Sequence, residues 1–346
     1  MASNTAELLS PPSDPQSLGP GLGAAIAVSA ISLAVGLLEE RTLGRAVIEP
    51  LVLAILVGMS VRTITPDWPT GDAGIRFASK NVLEVAVFLL GATMDVPRLF
   101  ASGPALAVGI VLLVVAALAA GYAVGRAAGL SANLAILVAC GNAICGNSAI
   151  AAVAPVIGAE RNDVAASIAL TAVLGIVVVL GLPLLITPLT LSHYQYGVLA
   201  GLTVYAVPQV LAAAFAVSAL SGQVATAVKL ARVLMLGPVV LFFAVRARRS
   251  GRAETRVSVG KFVPWFVVGF TLLAVARSSG VIGDSSANAA KLVAGWLTVL
   301  AMAGLGLSVD VRSVRAVGAR VVAAVAGSLV VLIALAVALI RALEFL

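Results

Sequence analysis

Charged residues are scarce in this sequence. Asp, Glu, Lys and Arg make up only 11% of its 346 residues, and hydrophobic residues make up 61%, whereas a soluble domain carries about a quarter charged residues. So few charged side chains cannot cover a surface that faces water, so much of the surface must face lipid. The composition excludes a soluble globular protein and predicts an all-α polytopic membrane protein.

Residues that serve metal, disulfide or acid–base chemistry are also rare. The chain has one histidine, His193, and two cysteines, Cys140 and Cys145, which lie in an apolar stretch without metal-ligand spacing. No Walker-type glycine-rich loop followed by Lys and Ser or Thr occurs, so the chain carries no ATP motor of its own. We expect no enzyme activity, no metal and no cofactor other than a possible coupling ion, Na⁺ or H⁺.

Basic residues exceed acidic ones, 22 to 15, but their distribution does not suit nucleic acid. Six of them crowd into the loop 246–261, and the loops near 62–80 and 310–320 carry three each. These three loops fall on one side of the membrane if every apolar segment crosses it. The positive-inside rule then predicts a cytoplasmic N-terminus in a bacterial inner membrane.

Eleven apolar segments have about the 20 residues that a helix needs to cross the bilayer. The polar, Ser- and Pro-rich residues 1–20 contain no Lys or Arg, which predicts a disordered tail rather than a signal peptide. Residues 21–346 are predicted to form one transmembrane transporter domain of about 10–11 helices. The segments are 21–38, 46–61, 76–94, 104–125, 130–157, 163–188, 195–219, 227–246, 260–277, 289–309 and 318–343.

Two runs of sequence resemble each other at Gly91–Gly103 and Gly306–Gly318. They close the third and tenth apolar segments, which are an odd number of crossings apart, so the pair predicts inverted repeats as in many secondary transporters. A looser match between Ser148–Ala152 and Gln209–Ala213 pairs segments that would run parallel. Either 195–219 does not cross fully, or one of the two matches is accidental.

The segment 139–148 holds two Gly-Asn pairs, five residues apart, within a long apolar stretch. Gly and Asn are poor helix formers, so this segment predicts a helix interruption near the middle of the membrane. Freed backbone groups must then be buried in protein or line a cavity, and the N–H groups of a helix start favour an anion. The alternative is close helix packing without a ligand. The candidate binding residues here are Asn142, Cys145, Gly146, Asn147 and Ser148.

Three further residues are candidates for the same site. Pro208 kinks or breaks its helix, and the following Gln209 places an amide within the apolar region. Lys229 and Arg232 share one helix face, and cations inside a membrane indicate a functional site. The alternatives are an ordinary proline kink and snorkelling of the long side chains to the interface.

The sequence resembles the YeiH-type family of proposed sulfate exporters in three runs. These runs are 140–152, Val207–Ala213 and Lys229–Pro238. The resemblance covers most of residues 30–345. It implies membership of the wider group of sodium/proton antiporters and bile-acid symporters, with inverted repeats and two discontinuous helices that cross at the substrate site. Family members often carry His and an acidic residue before the Gln, where this chain has Tyr205 and Ala206.

These observations predict a secondary transporter, an exporter or ion-coupled carrier, for a small anion such as sulfate or a sulfonate. It would work by alternating access. The expected partners are the lipid bilayer, the anionic solute and a possible second copy in a homodimer, with no nucleic acid. The alternatives are a channel for a small anion and an intramembrane protease that uses Asp95 and Asp310.

Overall fold

A computed structural model describes residues 18–43, 49–65, 72–94, 103–249, 264–309, 312 and 318–343. These residues are helical almost throughout and contain no strand, so the predicted all-α class is confirmed. The N-terminal tail 1–17, Asp95, Asp310 and most of the basic loop 246–261 lie outside the described residues.

Fifteen α-helices occur in the described part of the chain, and several continue into a short π- or 3-10 turn. Each of the eleven apolar segments of the sequence overlaps at least one helix in the described residues. The helices are α1 Leu18–Leu43, α2 Pro50–Ile64, α3 Asp72–Phe77, α4 Leu83–Leu90, α5 Gly103–Ala127, α6 Ala132–Cys140, α7 Asn147–Ile157, α8 Arg161–Gly181, α9 His193–Thr203, α10 Val207–Phe215, α11 Ala219–Leu234, α12 Leu236–Arg249, α13 Trp265–Ser278, α14 Asp284–Leu307 and α15 Ala319–Leu343.

Six helical stretches in the described residues are long and apolar enough to cross a membrane, and four shorter apolar helices accompany them. The mean hydropathy of the six ranges from 1.7 to 2.8. Several predicted spans are therefore built from short or interrupted helices. The six are Leu18–Glu39, Pro104–Ala127, Arg161–Leu185, Ala219–Ala247, Asp284–Leu307 and Ala319–Leu343.

The chain divides into two compact units, residues 1–86 with 293–310 and residues 87–292 with 311–346. In the first unit, glycines let helix backbones touch. A Cβ atom on Gly74 would lie 2.1 Å from the carbonyl oxygen of Leu18, and one on Gly306 would lie 2.4 Å from that of Ile55. Small residues at such interfaces are how helices associate where the hydrophobic effect offers no help.

The second unit contains α5 to α13, α15 and every binding residue that the sequence predicts. Within it, α9 packs closely on α11 because two glycines one turn apart face α11. A Cβ atom on Gly197 would lie 2.8 Å from the carbonyl oxygen of Ser221, and one on Gly201 would lie 2.7 Å from that of Ala225. This close approach brings the side chains near the end of α11 within reach of the end of α9.

The inverted repeat stays a prediction, because much of Gly91–Gly103 and Gly306–Gly318 lies outside the described residues. The segment Gly121–Gly125, by contrast, has a clear packing role on α5. A Cβ atom on either glycine would lie 3.2 Å from a backbone atom of α6, at Ala139 or Ala135.

Gly201→Ala is expected to lower the stability of the protein by about 1–3 kcal/mol, because the new methyl group overlaps the α11 backbone. The melting temperature of the purified protein in detergent measures this. Gly295→Ala is the matched control, since no described atom lies within 4 Å of a Cβ there. An equal effect of the two changes would contradict the close α9–α11 contact.

Candidate functional site

The first helix interruption lies at Gly146, where the sequence predicts one. Helix α6 passes into a π-turn over Gly141–Cys145, and Gly146 then has φ 65° and ψ −125°, a backbone conformation that only glycine adopts readily. The N–H of Gly146 donates to the carbonyl oxygen of Gly141 at 2.9 Å. A new helix, α7, starts at Asn147.

The second interruption separates α9 from α10. Helix α9 ends at Thr203, the backbone is extended at Val204 and Ala206, and α10 starts at Val207. Pro208 causes the break, because its ring lacks the N–H that would bond the carbonyl of residue 204 in a continuous helix and would clash with that carbonyl. The predicted span 195–219 is therefore two short helices.

Both interruptions leave carbonyl groups without their usual helical donors. The carbonyl of Ile144 would normally bond the N–H of residue 148, but the chain turns away at Gly146. The carbonyl of Val204 loses its partner to Pro208. A buried carbonyl without a donor is costly, so these groups need donors from elsewhere in the protein.

Two cations on α11 supply those donors. The Lys229 ammonium donates to the carbonyl oxygens of Ile144 at 2.6 Å and Val204 at 2.9 Å. The Arg232 guanidinium is entirely buried, as is Lys229. Its Nε donates to Ile144 at 2.8 Å, and its terminal nitrogens donate to the carbonyl oxygens of Asn142, Gly201 and Leu202.

Lys229 and Arg232 therefore fasten the ends of α6 and α9 to each other. The carbonyl of Ile144 accepts from both cations. Carbonyl groups at a helix end carry the negative pole of the helix dipole, which favours a cation there. No carboxylate is a hydrogen-bond partner of either cation within the residues that the structure describes. In the described part of the chain the partners of the pair are therefore backbone carbonyls, which carry only partial charges.

The opposite poles of the interruptions are the first turns of α7 and α10. The first N–H groups of a helix generally lack an acceptor within that helix. No side chain caps the start of α7, whereas at the start of α10 the Gln209 side chain accepts from the N–H of Ala206. The side chains of Asn147 and Ser148, at the start of α7, are exposed. The Asn147 carbonyl oxygen accepts a hydrogen bond of 2.7 Å from the hydroxyl of Thr171 on α8. The start of α7 is the accessible polar part of the first interruption.

The other predicted residues are buried beside the interruptions. Gln209 accepts from the N–H of Ala206 at 3.1 Å and donates to the carbonyl oxygen of Ala172 at 3.4 Å, so its amide caps α10. The amide nitrogen of Asn142 donates to Val325 and Ser328 on α15, at 3.2 and 2.9 Å.

Cys145 is a free, buried thiol that ends the π-turn. All eight candidate residues thus lie at the two interruptions or on α11, the helix that joins them.

A family model described as conserved hypothetical protein 698 matches residues 20–325. A UPF0324 membrane protein of Brucella suis is 49% identical over 330 residues, which cover 95% of this chain and 97% of the relative. The chain therefore belongs to the family of conserved hypothetical protein 698, whose relatives are named UPF0324 membrane proteins. The UPF0324 membrane protein of Bradyrhizobium diazoefficiens is 49% identical, with 93% and 92% of the two chains covered. One from Bacillus cereus is 35% identical, with 85% and 84% covered.

The YeiH-type resemblance seen in the sequence is therefore confirmed. The names of these UPF0324 relatives describe membrane proteins and give no solute. No solved structure matches the chain.

Several residues that build the site in this UPF0324 member are not apparent from its motifs. On α8, the Thr171 hydroxyl donates a hydrogen bond to Asn147. Gly175 leaves room for the Gln209 side chain, because a Cβ atom on Gly175 would lie 2.2 Å from the Gln209 amide nitrogen. The four-residue spacing of Gly197 and Gly201 places both glycines on one helix face, which indicates a close helix contact such as that between α9 and α11. The free carbonyl of Val204 could be predicted from the sequence, because Pro208 lacks the N–H that would bond the carbonyl four residues earlier.

Gly146→Asn is expected to cost about 1–3 kcal/mol of stability, because its backbone lies where side-chain-bearing residues are strained. Gly158→Asn is the matched control. Gly158 has φ 64° and ψ 43° with no described atom near a Cβ position, and Asn tolerates that left-handed helical geometry. Thermal unfolding in detergent distinguishes the two. Equal losses would argue against the unusual backbone at Gly146.

Arg232→Lys keeps the positive charge but loses the planar fork that reaches carbonyls on two helices. We expect a stability loss of about 1–3 kcal/mol from the stranded carbonyls. Arg126→Lys is the control, since the Arg126 side chain donates a single hydrogen bond in the described residues, to the carbonyl oxygen of Leu130. A melting temperature for Arg232→Lys equal to that of the parent would refute the fastening role.

Proposed function

We propose that this protein is a secondary transporter that carries a small anion, such as sulfate or a sulfonate, by alternating access. The observation that carries the proposal is the pair of interrupted helices joined by buried Lys229 and Arg232, without a carboxylate among their described partners. Backbone that leaves the helix at membrane depth is tolerated where it is buried or lines a cavity. Transporter sites are commonly built from such discontinuous helices.

The charge of the site favours an anion over a cation. Lys229 and Arg232 satisfy the carbonyl ends of α6 and α9, so those oxygens are not available to bind a metal cation. The amide end of α10 is capped by Gln209, but no side chain caps the amide end of α7, and helix starts attract negative groups. Asn147 and Ser148 add side-chain donors at the start of α7.

The remaining parts of the proposal rest on the sequence. The basic loops support a cytoplasmic N-terminus in the inner membrane. Without an ATP-binding loop, a gradient of Na⁺ or H⁺ or exchange against a second solute would drive transport. We propose a carrier rather than an enzyme, and a homodimer is compatible with this function.

Purified protein in liposomes tests the proposal directly. Labelled sulfate, sulfite and small sulfonates are offered under imposed sodium and proton gradients. We expect saturable uptake of at least one anion, together with counterflow when the same anion is preloaded inside. Non-saturating flux without counterflow would indicate a channel. Absence of flux with every anion would remove the proposal.

Asn147→Ala is expected to reduce the saturable flux at least tenfold, because it removes a polar group beside the open first turn of α7. Asn133→Ala is the matched control. Asn133 lies at the start of the same interrupted helix, and its amide donates to the carbonyl oxygen of Gly158 at 3.3 Å. We expect the control to retain the parental flux. Parental flux in Asn147→Ala, at equal protein in the liposomes, would exclude this position from the site.

A further inference from the structure

Tyr205 has a buried hydroxyl group that no described residue satisfies. The residue is 1% exposed, and its hydroxyl has no hydrogen-bond partner among the described residues. Buried polar groups nearly always have a partner, so an exception calls for an explanation.

Tyr196 provides the contrast within the same interrupted helix. It is also fully buried, but its hydroxyl donates to the carbonyl oxygen of Ala213 at 2.9 Å. The fold therefore satisfies a buried phenol where its role is structural.

Tyr205 lies at the point where the two interruptions meet. It belongs to the non-helical link between α9 and α10, and a Cβ atom on Gly146 would lie 3.3 Å from the Tyr205 Cβ. The preceding carbonyl, at Val204, is bound by Lys229. The unpartnered phenol is thus part of the same cluster as the two cations.

A second unpartnered group, the amide oxygen of Asn142, has a different chemistry. Its own amide nitrogen is fixed by bonds to Val325 and Ser328, so the orientation of the amide is set and the oxygen can only accept. An anion offers acceptors and would not satisfy this oxygen. The Tyr205 hydroxyl, in contrast, can donate.

We infer that the Tyr205 hydroxyl donates a hydrogen bond to an oxygen atom of the transported anion when the anion binds where the two interruptions meet. This inference rests on the proposed function and assigns Tyr205 as a residue that determines affinity and specificity. The selected solute is an oxyanion, one oxygen of which accepts a hydrogen bond from the uncharged Tyr205 hydroxyl.

The test compares Tyr205→Phe with Tyr196→Phe in the liposome assay and in thermal unfolding. A hydrogen bond to a charged group predicts that Y205F raises KM for the oxyanion by about ten- to one-hundredfold. Its melting temperature without anion should equal or exceed that of the parent, because the change removes an unsatisfied group. Y196F should show the reverse, with a lower melting temperature and KM within about twofold of the parent.

The outcomes separate this inference from the proposed function. Saturable uptake by the parent with an unchanged KM in Y205F overturns the inference alone, since the hydroxyl would then serve only a trapped water. Unfolding of Y205F also overturns it, because the hydroxyl would then have a partner in the protein. If the parent shows neither saturable uptake nor stabilisation by any anion, both the inference and the proposed function fail.

Discussion

The structure of the second unit depends on the hydrogen bonds from two buried cations to the carbonyl groups that the helix interruptions expose. A helix can stop inside a membrane only if its last carbonyls find donors. Here Lys229 and Arg232 supply donors to five carbonyl oxygens on α6 or its π-turn and on α9 or its end. Because the same two side chains bond carbonyls at both helix ends, they connect the two interruptions directly.

The same bonds separate charge across the site. Fixed cations bind the carbonyls at the negative ends of two helices, whereas the positive end of α7 has no side-chain cap. A fixed arrangement of donors requires little reorganisation when a negative group arrives, which is an advantage of a preorganised site. The polarity therefore follows from which ends of the broken helices are capped, rather than from a count of charged residues alone.

Much of this arrangement could be predicted from the sequence. The paired Gly-Asn steps indicated the first interruption, and Pro208 indicated the second, because both depend on local backbone preferences. The spacing of Lys229 and Arg232 placed them on one face, but not their acceptors, which lie about 25 to 90 residues away in sequence. Contacts of this kind depend on helix packing, so Thr171 and Tyr205 could not be found from local patterns.

Helix α8 meets both interrupted helices, through Thr171 at Asn147 and through Gly175 at Gln209. This geometry restricts how the family can diverge. The Gln209 amide occupies the volume that any side chain at 175 would need, so a larger residue at 175 can be accepted only together with a shorter one at 209. Position 175 is therefore expected to remain glycine in every relative that keeps a glutamine at 209.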